Sequence, residues 1–335
     1  MSPESAAAES AGAAGRRTRW IRGLGARLPS RRKSPVSNAV IRMQAFDTVL
    51  GMNARNEEIA RTNPFASIQL VNDKYATKRA LAAAGAPTAP TLALVGSRRE
   101  LAAIDWDAMP ASWALKPNQS LGGSGILLAS GRAERAGRRG RREPAWLSGS
   151  GRLITLLEVK DHVRFILDGE FSGRGRDLAL FEPLLQAHPD LDRLSYQGLP
   201  DIRVLCLEDV PVLAMMRLPT RSSGGRANLH QGAIGAAVDL DSGEVTQAWI
   251  SKQPTTHHRD TGTELVGARV PHWEGVLDAA RRCAAATGLH YLGADVVVDA
   301  EAGPLILEVN ARPGLQIQTV TGTGLLAAVL AEENR

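Results

Sequence analysis

The chain has 335 residues, 44% hydrophobic and 22% charged, enough for one large domain or two small ones with a substantial core. No apolar run approaches the roughly 18 to 20 residues that span a membrane. Two cysteines, Cys206 and Cys283, cannot build a disulfide framework or a structural zinc site, so a reducing, cytoplasmic setting is expected.

The net charge of +5 has a local source. Residues 1–40 hold eight basic side chains against two acidic ones, and the rest of the chain holds 32 against 33. The leading segment is rich in Ala, Gly, Ser and Arg without apolar periodicity, which predicts a disordered basic tail over residues 1–45. It lacks the apolar stretch of a secretory signal. A second basic cluster, Gly131 to Arg142, carries glycines and predicts an exposed loop. Neither cluster interleaves aromatic residues, which argues against a nucleic-acid partner.

In chain order, spacing predicts a helix over 47–62, ended by Asn63-Pro64. A second helix, capped by Asn72 or Asp73, is expected through Leu81 and stopped by Gly85 and Pro87. Short strands follow at 92–95, at Ser112–Leu115 running into Lys116-Pro117, and at Ile126–Ala129. After the basic loop come an amphipathic piece over Leu153–Leu167 and a buried strand over Leu178–Leu185. Ile202–Leu207 and Pro211–Leu218 read as paired strands around Glu208-Asp209, and Val245–Ile250 as another strand. Trp273–Thr287 is a helix with Gly288 as its stop. Strands Tyr291–Asp299 and Leu305–Asn310 follow, then a last helix starting near Gly322. No internal repeat is present. The mixture predicts an α+β fold with a large antiparallel share.

The strongest local signal is the run Gly293 to Asn310. Two aliphatic segments flank a four-residue turn, Ala300 to Gly303. Pairing Asp299 with Pro304 puts Asp295 opposite Glu308, and alternation puts Asn310 on the same face as Glu308. Like charges directly opposite are unfavourable. A hard cation resolves that conflict, and oxygen-only ligands suit Mg²⁺ shared with phosphates. A hairpin with solvated acids, or a register slipped by one, is the alternative.

Lys116-Pro-Asn-Gln-Ser-Leu-Gly-Gly-Ser-Gly-Ile126 sets a lysine at a strand end before a glycine-rich loop. Small residues let backbone N–H groups approach a phosphate, and the lysine supplies a point charge. The loop is neither a Walker A sequence nor G-x-G-x-x-G, and a flexible hairpin is its alternative reading. Lysine is scarce, six against 34 arginines, which draws attention to Lys74 and Lys116. Asp201-Ile-Arg203 and Arg217 sit in the paired strands, within reach of a triphosphate or paired with each other on a sheet face. Arg226, Asn228 and His230 share a face if their segment is a strand; a loop is the alternative. The seven histidines show no metal-ligand spacing, and no G-x-S-x-G elbow is present.

Taken in order, these stretches resemble the ATP-grasp superfamily, and within it the RimK-type α-L-glutamate ligase-like proteins. The likeness is carried by Met52-Asn-Ala-Arg-Asn56, Asn63-Pro64, Asn72-Asp-Lys-Tyr-Ala-Thr-Lys78, Lys116 to Ile126, Pro200-Asp-Ile-Arg203, Arg217-Leu-Pro-Thr220, Ala227-Asn-Leu-His-Gln-Gly232 and Leu307-Glu-Val-Asn-Ala-Arg-Pro-Gly314, from about residue 47 to 330. The resemblance implies an ATP-grasp domain over 46–330, whose two α+β subdomains, roughly 72–178 and 179–330, clamp ATP. It implies that Lys74 and Lys116 meet the nucleotide phosphates, under a flexible loop of Gly122, Gly123, Ser124 and Gly125. Glu182, Pro183 and Leu184 become the hinge that reads adenine; the family often reads Glu-Glu-x-Ile where this chain has Phe181-Glu182-Pro183-Leu184. Arg203 and Arg217 stabilise the transferred phosphate, Asn228 and Arg312 line the reaction centre, and Asp295, Glu308 and Asn310 bind Mg²⁺, with Mn²⁺ as an alternative. The family domain that precedes the grasp is reduced here. The implied activity joins a small-molecule or peptide carboxylate to an amine at the expense of ATP, with glutamate as one candidate. An ATP-binding regulatory or scaffold module without activity is the other reading.

Overall fold

The computed structural model describes residues 49–120, 122–136, 142–173 and 175–325, without the side chains at 54, 58 and 61. The basic tail expected over 1–45 and the tip of the second basic cluster, 137–141, lie outside the described residues. No helix among the described residues is long and apolar enough to cross a membrane.

Three helices come first: α1 (Met52–Thr62), α2 (Phe65–Val71) and α3 (Lys74–Ala83). Asn63 turns extended at φ −88, ψ 121 and ends α1, as Asn63-Pro64 predicts. Pro64 then opens α2, which no sequence signal marks. Asp73, not Asn72, caps α3: its carboxylate accepts the Ala76 N–H at 2.8 Å. Asn63 is buried and fully used. Its Oδ1 accepts the N–H groups of His290 and Tyr291 at 2.8 and 2.9 Å, and its Nδ2 donates to the Tyr291 carbonyl at 2.8 Å.

The chain continues through β1 (Ala93–Val95), α4 (Arg98–Ala103), β2 (Trp113–Pro117), β3 (Leu127–Ala129), β4 (Gly131–Ala136), β5 (Arg142–Leu147), β6 (Leu153–Thr155), α5 (Leu156–Leu167) and β7 (Ala179–Pro183). Four strands form a sheet ordered β1-β7-β2-β3, and three form a second sheet ordered β4-β5-β6. The expected basic loop is therefore largely the β4–β5 hairpin, in register from Gly131↔Leu147 to Ala136↔Arg142. The reason is packing. Arg132 lies over the Trp146 ring, 5.0 Å from its centroid, and donates to the Met109 carbonyl at 2.8 Å. Trp146 in turn meets Trp113 edge-on at 5.4 Å, and Trp113 meets Phe181 at 5.3 Å; all three rings are fully buried.

The remainder comprises α6 (Pro189–Asp192), β8 (Asp201–Leu207), β9 (Val210–Leu218), β10 (Ile234–Val238), β11 (Val245–Ile250), β12 (Gln253–Thr255), α7 (Trp273–Thr287), β13 (Tyr291–Asp299), β14 (Gly303–Asn310) and α8 (Gln316–Thr321). A seven-stranded sheet runs β12-β11-β10-β9-β8-β13-β14. Every pairing between these strands is antiparallel, as the α+β reading expects. Helix α7 covers the large sheet with Val276, Ala280 and Cys283, and Gly288 ends it at φ 67. Helices α1 to α3 contribute Ile59, Ile68, Val71 and Leu81 to that same core, not to the core of the four-stranded sheet. Helical structure does begin near Gly322, at Leu325, where the described residues stop, but a helix not expected from the sequence precedes it. That helix, α8, ends on Gly322 at φ 66.

Candidate active site

The β13–β14 hairpin brings Asp295 opposite Glu308, and Gly293 opposite Asn310. The route differs from the one alternation suggests. At the turn, Asp299 pairs with Gly303 rather than with Pro304, one step off the expected register. Asp299 holds that turn by accepting the N–H groups of Glu301 and Ala302, each at 3.0 Å. A bulge between Asp295 and Val296 of β13, facing Leu307, then restores the pairing of Asp295 with Glu308.

Four neighbouring strands of the large sheet carry a row of charges. Across β8–β13, Arg203 lies opposite Asp295; across β8–β9, Asp201 lies opposite Arg217. Arg203 grips Asp295 with both arms of its guanidinium, Nε to Oδ1 at 2.5 Å and Nη2 to Oδ2 at 2.6 Å. Arg217 does the same to Asp201, at 2.5 and 2.7 Å, and its Nη2 also lies 2.9 Å from Asp295 Oδ2. Asn310 donates its Nδ2 to Asp295 Oδ2 at 3.2 Å, which leaves its own carbonyl oxygen for another partner. Glu308 makes no hydrogen bond or salt bridge among the described residues.

The electrostatics follow from this uneven sharing. Burial works to raise the Asp295 carboxyl, but Arg203 and Arg217 outweigh it and hold it below its ordinary value. Asp201 is equally buried and is gripped by Arg217 alone; burial, with repulsion from Asp295 adding, outweighs Arg217 and the more distant Arg203, and its carboxyl is raised. Glu308 is raised too, by burial and then by Asp295, against the pull of Lys74, Arg203 and Arg217.

Lysines approach from helix α3 and from strand β2 of the four-stranded sheet. The Lys74 ammonium at the start of α3 donates to the Ser120 carbonyl at 2.6 Å, on the segment leading into the glycine-rich loop. Burial lowers its pKa, with Lys116 adding, while Glu308, Asp177 and Asp73 oppose. Lys116, on β2, meets Glu182 of β7 at 2.6 Å, and Lys78 meets the other oxygen of the same carboxylate. Burial raises the Glu182 carboxyl, but the two lysines more than reverse it. The glycine loop is built on left-handed backbone: Gly122, Gly123 and Gly125 have φ of 62, 76 and 74. At Gly125 a Cβ would also lie 2.4 Å from the Phe171 ring.

The structure thus gathers Lys74, Lys116, Arg203, Arg217, Asp295, Glu308 and Asn310 through direct contacts or mutual charge effects. Glu182 turns its carboxylate to two lysines, and Pro183 and Leu184 continue from it at the end of β7. Ser124 is exposed within the loop. Asn228 is not in a strand. It caps the 3₁₀ turn Leu229–Gln231, its Oδ1 accepting the His230 N–H at 3.0 Å, so the expected shared face of Arg226, Asn228 and His230 does not form. Arg312, just past β14, is exposed and makes no hydrogen bond among the described residues. Two participants carried weaker sequence signals. Lys78 lies one helical turn beyond Lys74, the spacing that puts two side chains on one helix face. Asp201 shares a strand face with Arg203 through the Asp-x-Arg alternation.

A seven-stranded and a four-stranded antiparallel sheet, the latter carrying the glycine-rich loop between β2 and β3 beside a third sheet of three strands, are the architecture of an ATP-grasp protein. The chain belongs to the sugar-transfer associated ATP-grasp family, whose model matches residues 53–333. That description differs from the RimK-type resemblance, and the two agree at the level of the superfamily. No curated protein matches the sequence. Among solved structures, D-alanine–D-alanine ligase from Bacillus anthracis complexed with ATP is 14% identical at a TM-score of 0.43, over 80% of this chain and 66% of that one. The ATP-grasp ligase PsnB, complexed with a phosphomimetic variant of its minimal precursor, Mg and ADP, is 15% identical at 0.39, over 80% and 60%. Biotin carboxylase from Campylobacter jejuni, complexed with a β-γ-ATP compound, is 15% identical at 0.48, over 84% and 52%. This chain therefore spans about two thirds or less of the length of each of the three.

Proposed function

We propose that the protein is an ATP- and Mg²⁺-dependent carboxylate–amine ligase that works through an acyl phosphate. The observation that carries this reading is Glu308: a carboxylate set against Asp295, without a hydrogen-bond or ion-pair partner among the described residues, where Lys74 of α3 and Arg203 and Arg217 of the large sheet exert their charge. A surplus acid in such a place is costly unless a cation joins it. The donors fit Mg²⁺. Glu308, Asp295 and the free carbonyl of Asn310 are hard oxygens, and Asp295 becomes available as its guanidinium partners turn to phosphate. When bound, the metal neutralises phosphate charge and orients the transferring group.

The chain's own residues account for the rest. Lys74 and Lys116 meet the phosphates, with Gly122, Gly123, Ser124 and Gly125 closing over them. Glu182, Pro183 and Leu184 form the adenine hinge. Arg203 and Arg217 take the charge that develops on the transferred phosphoryl group. The substrate carboxylate attacks that group and becomes an acyl phosphate, which an amine then displaces to give an amide and phosphate. Asn228 and Arg312 line the reaction centre, and loop closure shields the acyl phosphate from water. We place the division between subdomains after β7 rather than at the expected 178/179, since Ala179–Pro183 completes the four-stranded sheet, and α3 goes with the large sheet instead of opening the 72–178 unit; a cytoplasmic location fits an ATP consumer with two buried thiols.

The family description, sugar-transfer associated, directs the substrate search to sugar derivatives that carry a carboxylate or an amine, and the sequence resemblance adds glutamate. The test is phosphate release from ATP and Mg²⁺ with a panel of carboxylates and amines. Turnover is expected with a matched pair and is lost in Lys116→Ala and Glu308→Gln. Turnover that survives Glu308→Gln overturns the metal assignment. Nucleotide binding without turnover for any pair favours the inactive, regulatory reading.

A further inference from the structure

We propose that Asp201 is a positioning residue that keeps Arg217 from closing over Asp295, and so leaves Asp295 able to receive a divalent cation. The inference rests on the reading that Asp295, Glu308 and Asn310 hold the metal of a bound nucleotide.

Asp295 already takes the full fork of Arg203, at 2.5 and 2.6 Å, and the two lie opposite each other on β13 and β8. A second fork on the same carboxylate would saturate its oxygens and leave none for a metal. Arg217 is placed to supply that fork, since its Nη2 is 2.9 Å from Asp295 Oδ2. It does not, because Nε and Nη2 both point to Asp201, at 2.5 and 2.7 Å. A guanidinium is planar and rigid, so a two-point hold on one carboxylate fixes the direction of every N–H it carries. One N–H of Nη2 remains for Asp295, an ion pair at 2.9 Å to Oδ2; Oδ2 also accepts from Arg203 Nη2 and Asn310 Nδ2, so Oδ1, which accepts from Arg203 Nε alone, is the oxygen open to a metal. Asp201 is 5% exposed and sits opposite Arg217 across β8–β9, so water has little room to take over its part. Asp201 itself faces Arg217, one strand removed from the hairpin acids, and has no need to touch nucleotide or metal.

The test is Mn²⁺ binding to the full chain, followed by electron paramagnetic resonance in saturating ADP, with metal-free ADP affinity measured in parallel. In Asp201→Asn, Arg217 keeps one charged neighbour within reach, Asp295. Mn²⁺ affinity is expected to fall about tenfold while metal-free ADP affinity stays within about threefold. In the double variant Asp201→Asn/Arg217→Gln, Mn²⁺ affinity returns to within about threefold of wild type; Asp201→Asn/Arg203→Gln gives no such return. Equal losses of Mn²⁺ and ADP binding in Asp201→Asn overturn the proposal in favour of a purely structural role. So does a double variant no better than Asp201→Asn, or one rescued equally by Arg203→Gln. If Asp201→Asn does not fold, Asp201→Ser takes its place, alone and with Arg217→Gln or Arg203→Gln, with the same expected and overturning results. A wild-type protein that binds neither ADP nor Mn²⁺ overturns the functional reading itself, an outcome distinct from a selective failure of the variants.

Discussion

Glu308→Gln separates stability from function in opposite directions. The substitution keeps the side chain's size and removes its charge. In the free protein Glu308 is held against Asp295 without a hydrogen bond, and burial raises its carboxyl above the ordinary 4.5. A charged acceptor left unmatched in such a site costs about 1–3 kcal/mol, and attraction to Lys74 offsets part of it, so the glutamine variant gains about 1–2 kcal/mol. In a domain of this size that raises Tm by about 2–6 °C. The sign with pH follows from the raised value. Well below 4.5 the carboxyl is protonated in both folded and unfolded chains and the variant has no advantage; the advantage grows as pH rises from 4.5 and levels off above the raised folded-state value. Saturating ADP and Mg²⁺ reverse the order. At a hundredfold excess over Kd, ligand stabilises wild type by about 2.7 kcal/mol, and the variant loses most of that. Calorimetry at pH 4 and pH 8, with and without ADP and Mg²⁺, measures all four values. A glutamine variant less stable than wild type at pH 8 without ligand, or one stabilised equally by ADP and Mg²⁺, refutes the reasoning.

Other outcomes follow from the same geometry. Gly125→Ala drives a Cβ into the Phe171 ring at a φ of 74 and should cost about 2–3 kcal/mol, with a raised KM for ATP; Gly122→Ala, at φ 62 in open space, should cost about 1 kcal/mol. Glu182→Gln strips Lys78 and Lys116 of their shared partner and is expected to lower stability by about 2–4 kcal/mol, read as a shift of the urea midpoint. Cys206 and Cys283 are buried and their thiols are pushed up by burial, so a thiol reagent should label neither in the native protein and both in guanidinium chloride.

Legibility in the sequence followed how local the cause was. Trp273–Thr287 ends where expected because Gly288 alone supplies the left-handed stop. Asp295 faces Glu308 as alternation suggests, although the turn is one step out and a bulge corrects it; two local irregularities cancel, and neither has a sequence signature. Strand β10, Ile-Gly-Ala-Ala-Val, shows no alternation because both its faces are buried. The basic hairpin reads as a loop from charge and glycine, yet Arg132 is recruited by a tryptophan 14 residues on. Lys78 and Glu182 are 104 residues apart, a pairing that only the tertiary fold creates. The seven gathered polar residues were therefore visible as types and spacings, while their partners, Asp201 and Lys78 above all, came from the fold.

The central claim, that a carboxylate is activated as its acyl phosphate, is tested most directly by oxygen transfer. A substrate carboxylate labelled with ¹⁸O is incubated with the protein, ATP, Mg²⁺ and an amine, and the released phosphate is analysed by mass spectrometry. The ligase account predicts one labelled oxygen in each phosphate released, in step with amide formed. Unlabelled phosphate, or release of pyrophosphate with AMP, would contradict it.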